Sequence, residues 1–460
     1  MKSLLLTLCS LFTASFGMNA QEAPTEVPVI KINIEGNQIV KDKGTYLKAS
    51  FEIDGKGQYK DFKDSIQIKG RGNSSWSPVY DWNNPKNPYK LKFAKKQAPF
   101  GLTKGKKWVL LANKIDGSLL TNAIGMEVAR VVGTEAANDI IPVDLYINGE
   151  YRGNYNFTEQ VDISSNSVKL KDESKATLIE LDTYYDEPYK FKDATYQLPA
   201  NIKFPDFSEG GDETSINQND IEGNFNKLTA AVANGDDLSN ILDLNALGKY
   251  MLVNELIANF EILHPKSTYL YNADVLDNTS KWKFGPVWDF DWAFGYENTR
   301  PYYVTMESDY QFWTKQMEHT TFWNVLLSHK EVKLAYYQVW KNFMENGLQE
   351  VLDYCDTYYT WTANSLSDNA SKWWDNTDYA KQSSTIKSWL KARAKSIYDE
   401  LKSDEVVVAS VKRLNAATPA VVDVVDLNGR VVKHQVDRAD WSNGLPAGVY
   451  VVGGKKVVVK

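Results

Sequence analysis

An α+β fold follows from three observations. Alternating apolar and polar runs rich in Val, Ile, Tyr and Phe occupy the chain up to about residue 157, and apolar residues dominate at helical spacing between about 220 and 401. A tail rich in Val, Gly and Lys then closes the sequence. Alternation marks half-buried strands and a 3.6-residue repeat marks amphipathic helices, so a sheet-rich part, a helix-rich part and a small all-β module are expected in that order. With 460 residues, 43% of them apolar, the chain can build a substantial core.

The first residues set the compartment. Lys2 precedes an apolar stretch from Leu4 to Phe16, and the small residue Ala20 stands before Gln21, which reads as a cleaved secretory signal over residues 1–20. That stretch is too short to span a bilayer, and no later segment reaches the roughly 18 apolar residues a span needs, so no transmembrane segment is expected. The protein is expected to be exported, to the periplasm, the outer surface or the medium. Cys9 leaves with the signal and Cys355 stands alone, which excludes an intramolecular disulfide.

Val27 to Gly36 and Gly44 to Ile53 read as paired strands, and Ser65 to Lys69 as a third leading into Gly70-Arg71-Gly72. Tyr89 to Phe93 alternates again, and Trp108 to Ala112 suits a buried strand. From Ser118 to Val132 the apolar residues fall at helical spacing, with Gly133 where a helix stop belongs. Val143 to Ile147, Asn148-Gly149 and Tyr151 to Phe157 form a hairpin, because Asn-Gly favours the type I′ turn. Helices are expected from about Asp220 to Ala258 and from Phe322 to Leu401. Between them Thr268 to Tyr271, Trp282 to Phe284 and Val287 to Phe290 read as short strands. The tail from Glu405 to Lys460, with turns at Asn428-Gly429, Pro446-Ala447-Gly448 and Gly453-Gly454, reads as a β module whose boundary lies between Ser403 and Pro419.

Composition excludes some functions. A net charge of -7 without a Lys/Arg stripe disfavours nucleic acid. The four His lack metal-ligand spacing, and neither a Walker A loop nor a serine nucleophile elbow is present. Twenty-six Tyr and fourteen Trp fit either a wide core or an aromatic groove for sugars or peptides.

Three patterns carry chemistry. Asp289 and Asp291 stand two apart, so on a strand they share a face, where a divalent cation would relieve their repulsion; a pair of solvated carboxylates is the plainer alternative. Gly70-Arg71-Gly72-Asn73-Ser74-Ser75 can offer backbone N–H groups and the Arg71 guanidinium to phosphate oxygens, or be an ordinary hairpin turn. Lys90 and Lys92 share one strand face and can reach a phosphate as point charges, or simply be solvated.

Taken together, Ile68-Lys69-Gly70-Arg71-Gly72-Asn73-Ser74-Ser75-Trp76, Asn87-Pro88-Tyr89-Lys90-Leu91-Lys92-Phe93 and Lys107-Trp108-Val109-Leu110-Leu111-Ala112-Asn113 resemble the CotH kinase (spore coat protein H) family. In the same order come Leu145 to Tyr155 with Thr158-Glu159-Gln160, then Ile179-Glu180-Leu181-Asp182, then Gly285 to Gly295 around Trp288-Asp289-Phe290-Asp291. The resemblance runs from about residue 28 to 402. It implies a divergent protein-kinase-like fold, a sheet-rich N-lobe over a helical C-lobe, with ATP and Mg²⁺ or Mn²⁺ between them and phosphoryl transfer to protein Ser or Thr. By that analogy Lys90 or Lys92 contacts the nucleotide phosphates with Arg71, Glu127 pairs with the lysine, and Asp289 binds metal with Asp291 as a second contributor.

One segment departs from the family pattern. Asn259-Phe260-Glu261 places Glu261 where the resemblance implies a catalytic Asp, and Ser267 or a neighbour stands where a metal-binding Asn is implied. The extra methylene moves the oxygens by over an ångström, and misplacement of that size can cost about 100-fold in rate. A catalytically inactive surface protein, a pseudokinase binding a peptide or glycan, is therefore the alternative to an active kinase. At the far end, Val424 to Val432, Gly444 to Val452 and Lys455-Lys456-Val457 resemble a type IX secretion sorting domain, over about 415–460. That implies export to, or attachment at, the outer membrane.

Overall fold

The computed structural model describes residues 24–73, 75–76, 86–208, 210–263, 265–294, 320–373, 375–410, 421–453 and 455–459. The expected signal over 1–20 and the linker around Pro419 lie outside them. The mixed α+β class holds, but the strands expected as a sheet-rich N-lobe close into a seven-stranded barrel rather than a clear kinase-type lobe.

Seven strands form it: β1 (Val29–Ile34), β2 (Leu47–Asp54), β3 (Phe62–Gly70), β4 (Tyr89–Gln97), β5 (Gly105–Leu111), β6 (Ile141–Ile147) and β7 (Glu150–Glu159), in the order 1-2-3-4-5-7-6. Neighbours are antiparallel until β1 meets β6 in parallel, Val29 opposite Asp144 and Ile32 opposite Ile147, which closes the ring. Alternation explains the interior. Ile30, Ile32, Phe51, Ile66, Leu91, Phe93, Trp108, Tyr155 and Phe157 point inward and are almost fully buried, while the alternate residues face out. The β6–β7 hairpin turns at Asn148 (φ +51°) and Gly149 (φ +80°), the left-handed pair that a type I′ turn requires.

Between β5 and β6 runs α1 (Thr121–Val132), ended by Gly133 at φ +75°, whose N–H donates back to Ala129 and Arg130. Its start is fixed by Asp116, which accepts from the N–H and hydroxyl of both Ser118 and Thr121 at 2.7–2.9 Å.

A second, antiparallel sheet was not foreseen in full. It contains β8 (Thr177–Leu181), β9 (Lys190–Lys192), β10 (Pro199–Phe204), β11 (Thr268–Asn272) and β12 (Lys283–Phe284), in the order 12-11-8-10-9. β8 is buried at every position and its run Thr-Leu-Ile-Glu-Leu carries no strict alternation, whereas β10 does alternate, Ala200, Ile202 and Phe204 against Asn201 and Lys203, though over only six residues. Around this sheet pack α2 (Gln218–Asn234), α3 (Leu244–Leu256), α4 (Thr320–Ser328), α5 (Lys330–Asn346), α6 (Leu348–Trp373) and α7 (Tyr379–Ser403), and they share one large apolar core with it. α2 begins with a capping box, the Asn217 side chain accepting from the Asp220 N–H and Asp220 accepting from the Asn217 N–H.

Residues 287–290 are not a strand. Asp289 has φ +62°, a left-handed conformation incompatible with a ladder, and the N–H of Phe290 donates to the Asn122 side chain instead. The tail forms the expected β module, with β13 (Val421–Asp426), β14 (Val431–Asp437), β15 (Gly448–Val452) and β16 (Lys455–Val459) ordered 14-13-15-16 around their own small core of Val422, Val424, Tyr450 and Val452.

Candidate functional site

A cleft of about 570 Å³ lies where the rim of the barrel meets the second sheet, and the glycine turn, Lys90 and the Asp289–Asp291 motif line it. One wall is basic. The chain leaves β3 at Gly70, where a Cβ would lie 2.4 Å from the Trp76 ring and 2.8 Å from the carbonyl of Asp42, so only glycine fits. Gly72 follows at φ +84°. Between them the Arg71 N–H donates to the Pro88 carbonyl, and the guanidinium sits 5.4 Å from the centre of the Trp288 ring. Arg71 thereby joins the glycine turn to the residue preceding Asp289.

Lys90 and Lys92 separate here. Tyr89, Leu91 and Phe93 fill the barrel, so both lysines point outward, but Lys90 lines the cleft whereas Lys92 is exposed and does not. Burial, reinforced by the charges of Lys107 and Lys69, pulls the Lys90 amine down to about 8. Glu127 is not its partner. Arg130, one turn along α1, donates to both Glu127 oxygens at 2.8 and 2.5 Å and also to Glu350 of α6, and Glu127 does not line the cleft.

The ion pair within the cleft is a different one. Lys203 of β10 lies 3.2 Å from Glu180 of β8 and bonds Glu187, and Tyr269 of β11 donates to Glu180 at 2.6 Å. Burial works against the charge on Lys203, yet Glu180 and Glu187 hold its amine above the ordinary lysine value. Lys203 and Glu187 belong to none of the motifs read from the sequence, although β10 itself alternates, Ala200, Ile202 and Phe204 against Asn201 and Lys203. Glu180 stands inside the quoted Ile179 to Asp182 motif, the one signal that marked it.

The opposite wall is acidic. The Ser267 hydroxyl donates to Asp289 at 3.3 Å, and the Asn122 amide donates to Asp291 at 2.9 Å. Burial, then the charge of Asp289, raises the proton affinity of Asp291. Asp182, on the same wall, is pushed up to about 7 by burial and by Glu180. Glu261 is 7% exposed, and its carboxyl is raised well above the ordinary range by burial and then by the charge of Asp289. Its Oε2 takes no hydrogen bond from the described residues.

Glu261 is held by its backbone. α3 ends at Leu256, and the fully buried Arg393 of α7 caps that end, donating to the carbonyls of Glu255 and Leu256 and to the Glu255 carboxylate at 2.7–3.1 Å. The Asn259 side chain then accepts from the Glu261 N–H at 3.2 Å, and the Phe260 N–H donates to the Trp292 carbonyl at 3.1 Å. Lys266 follows, its ammonium 4.4 Å from the Tyr184 ring and 5.0 Å from the Trp292 ring.

Carboxylate oxygens suit a hard divalent cation, and the buried, unpaired Oε2 of Glu261 marks the acidic wall as incomplete. Among the described residues no three His, Cys, Asp or Glu side chains converge as ligands. Asp289 and Asp291 are the carboxylates that would hold such a cation. Among the described residues no helix is long and apolar enough to cross a membrane. The model of a family described as CotH kinase protein matches residues 66–397, and no curated protein matches the chain.

Proposed function

Since the chain belongs to the CotH kinase family, we propose that it is an exported, atypical protein-kinase-like protein that binds ATP with Mg²⁺ or Mn²⁺ and transfers phosphate to a Ser or Thr hydroxyl. The observation that carries this reading is the stacking of Arg71 on Trp288, which sets the glycine turn and Lys90 across one cleft from Asp289 and Asp291. In this reading Arg71 and Lys90 hold the phosphates, and Asp289 and Asp291 hold the cation. A bound divalent cation would neutralise the charge that spreads over the transferring phosphoryl group.

In this reading Glu261 takes the proton. As the acceptor hydroxyl oxygen bonds the γ-phosphorus and the bond to the β–γ bridging oxygen breaks, the hydroxyl proton passes to Glu261 Oε2. Glu261 must be ionised to accept it, and the neighbouring charges of Asp289 and Asp291 oppose that ionisation until they are neutralised. The same observation supports the second reading, a catalytically silent relative whose cleft binds a peptide or glycan.

Titration of ATP with Mn²⁺ against the purified protein tests the site. Wild type is expected to bind and Asp289→Ala to bind at least tenfold more weakly, as for loss of one charged ligand contact; equal binding by the two would overturn the reading. Transfer to a Ser-rich peptide decides between the alternatives. Glu261→Asp should gain activity if the base has drifted by one methylene, and no transfer by either protein leaves the silent relative. Export and attachment through β13–β16 are part of the proposal, supported by the sorting-domain resemblance and the separate core of that sheet. Mass spectrometry of the exported protein should find Gln21 at its N-terminus.

A further inference from the structure

Asp291 is half-buried beside Asp289, and the donor facing it belongs to Asn122, the second residue of α1 and itself 4% exposed. Asn122 is held on three sides. Its nitrogen donates to Asp291 Oδ1 at 2.9 Å and to Asn113 Oδ1 at 3.0 Å, while its oxygen accepts from the Phe290 N–H at 3.2 Å. The series continues inward: Asn113 donates to Asn156 at 2.7 Å, and Asn156 donates to the hydroxyl of Tyr358 at 2.7 Å. One row of side-chain amides therefore runs from α6, through β7 and the turn after β5, to α1 and the cleft.

The polarity of that row is fixed at its cleft end. A peptide N–H can only donate, so the Asn122 atom facing Phe290 is the oxygen and the nitrogen must face Asp291. Rotation of the Asn122 amide would set oxygen against carboxylate and N–H against N–H. Packing fixes the same register, because the Phe290 ring lies over Gly125, where a Cβ would come within 2.5 Å of it. The acidic motif is thus indexed on α1 by a bidentate amide and a ring one turn farther along.

We propose that Asn122 is a positioning residue: by bonding the Phe290 N–H and the Asp291 carboxylate together it aims Asp291 at the cation of the phosphate site, with Asn113, Asn156 and Tyr358 holding Asn122 in turn. The proposal rests on the reading of the cleft as a nucleotide–cation site. Partners that orient a ligating carboxylate from outside the coordination sphere are commonly worth 10–100-fold in metal affinity.

The test is a Mn²⁺ titration of the full chain with ATP, followed by the electron paramagnetic resonance of free Mn²⁺, alongside thermal melting. Asn122→Ala is expected to weaken Mn²⁺ about 10–100-fold, with ATP affinity in the absence of divalent cation within about twofold of wild type. Tyr358→Phe, which removes one hydroxyl at the far end and does not line the cleft, is expected to weaken Mn²⁺ about two- to threefold, the low end of coupling within one hydrogen-bond network. A purely structural Asn122 would lower the melting temperature and leave the Mn²⁺ affinity of the folded protein unchanged, and that result overturns the proposal. Where Asn122→Ala does not fold, Tyr358→Phe decides: weaker Mn²⁺ binding supports the proposal and unchanged binding overturns it. A wild-type protein that takes up no Mn²⁺ with ATP removes the nucleotide–cation reading itself, an outcome distinct from equal binding by wild type and variants.

Discussion

Two lysines of identical chemistry, two positions apart, have different surroundings. Lys90 faces the cleft and Lys92 faces solvent. Lys90→Met should weaken ATP binding about tenfold or more, the worth of a charged hydrogen bond, while Lys92→Met should leave it unchanged; isothermal titration of each variant checks this. Alternation placed both on one face and stopped there, because what separates them is a second sheet contributed by residues more than eighty positions later. Glu127 was misread for a local reason. Helical spacing located it, but Arg130 three residues on takes its carboxylate. Glu159 carries a pH dependence. Burial, then the charge of Asp139, pushes its carboxyl from 4.5 up to about 8, so between those values the unfolded chain has lost a proton that the folded chain keeps. Stability from this group therefore falls as pH rises from about 4.5 to 8. Glu159→Gln, which keeps an oxygen for the Asp139 N–H, should melt above wild type at pH 8.5, with the gap closing toward pH 5 by calorimetry.

Among the elements, α1 and the β6–β7 hairpin were legible because each carries its own stop signal, Gly133 for one and Asn148-Gly149 for the other. β8 was not, since a strand buried on both faces loses its alternation. The acidic motif was misassigned as a strand because its conformation is imposed from outside, by Asn122 and by the ring seat at Gly125. That seat gives a direct expectation. Gly125→Ala should displace Phe290 and cost about 1–3 kcal/mol, as overpacking does, measurable as a lower urea midpoint with weaker Mn²⁺ binding. The contact between α7 and the end of α3 is energetically heavier. Arg393→Met leaves Glu255 buried without its cation, and loss of one partner of such a pair costs about 3–5 kcal/mol. Urea unfolding of the variant should show a loss of that order.

For the molecule as a whole, composition and pattern were enough for the α+β class, and the C-terminal sheet declared itself by its turns. Closure of the barrel was not readable, because a parallel pair between β1 and β6 leaves no local trace in either strand. Among the described residues the tail sheet keeps its core to itself, with none before Val422 in that cluster. Removing residues 411–460 should therefore leave the main melting transition and ATP binding unchanged; a shifted transition would show that the sheet braces the rest.

The parallel seam between β1 and β6 also sets an order in time. Its partners are about 115 residues apart, so the ring stays open until β6 and then β7, which joins β6 to β5, exist, and joining distant segments is the slow part of folding. The acidic motif arrives near residue 290, and the arginine that caps α3 only at 393. A chain still emerging holds no completed cleft, so whatever the cleft does begins only once nearly four hundred residues have come together.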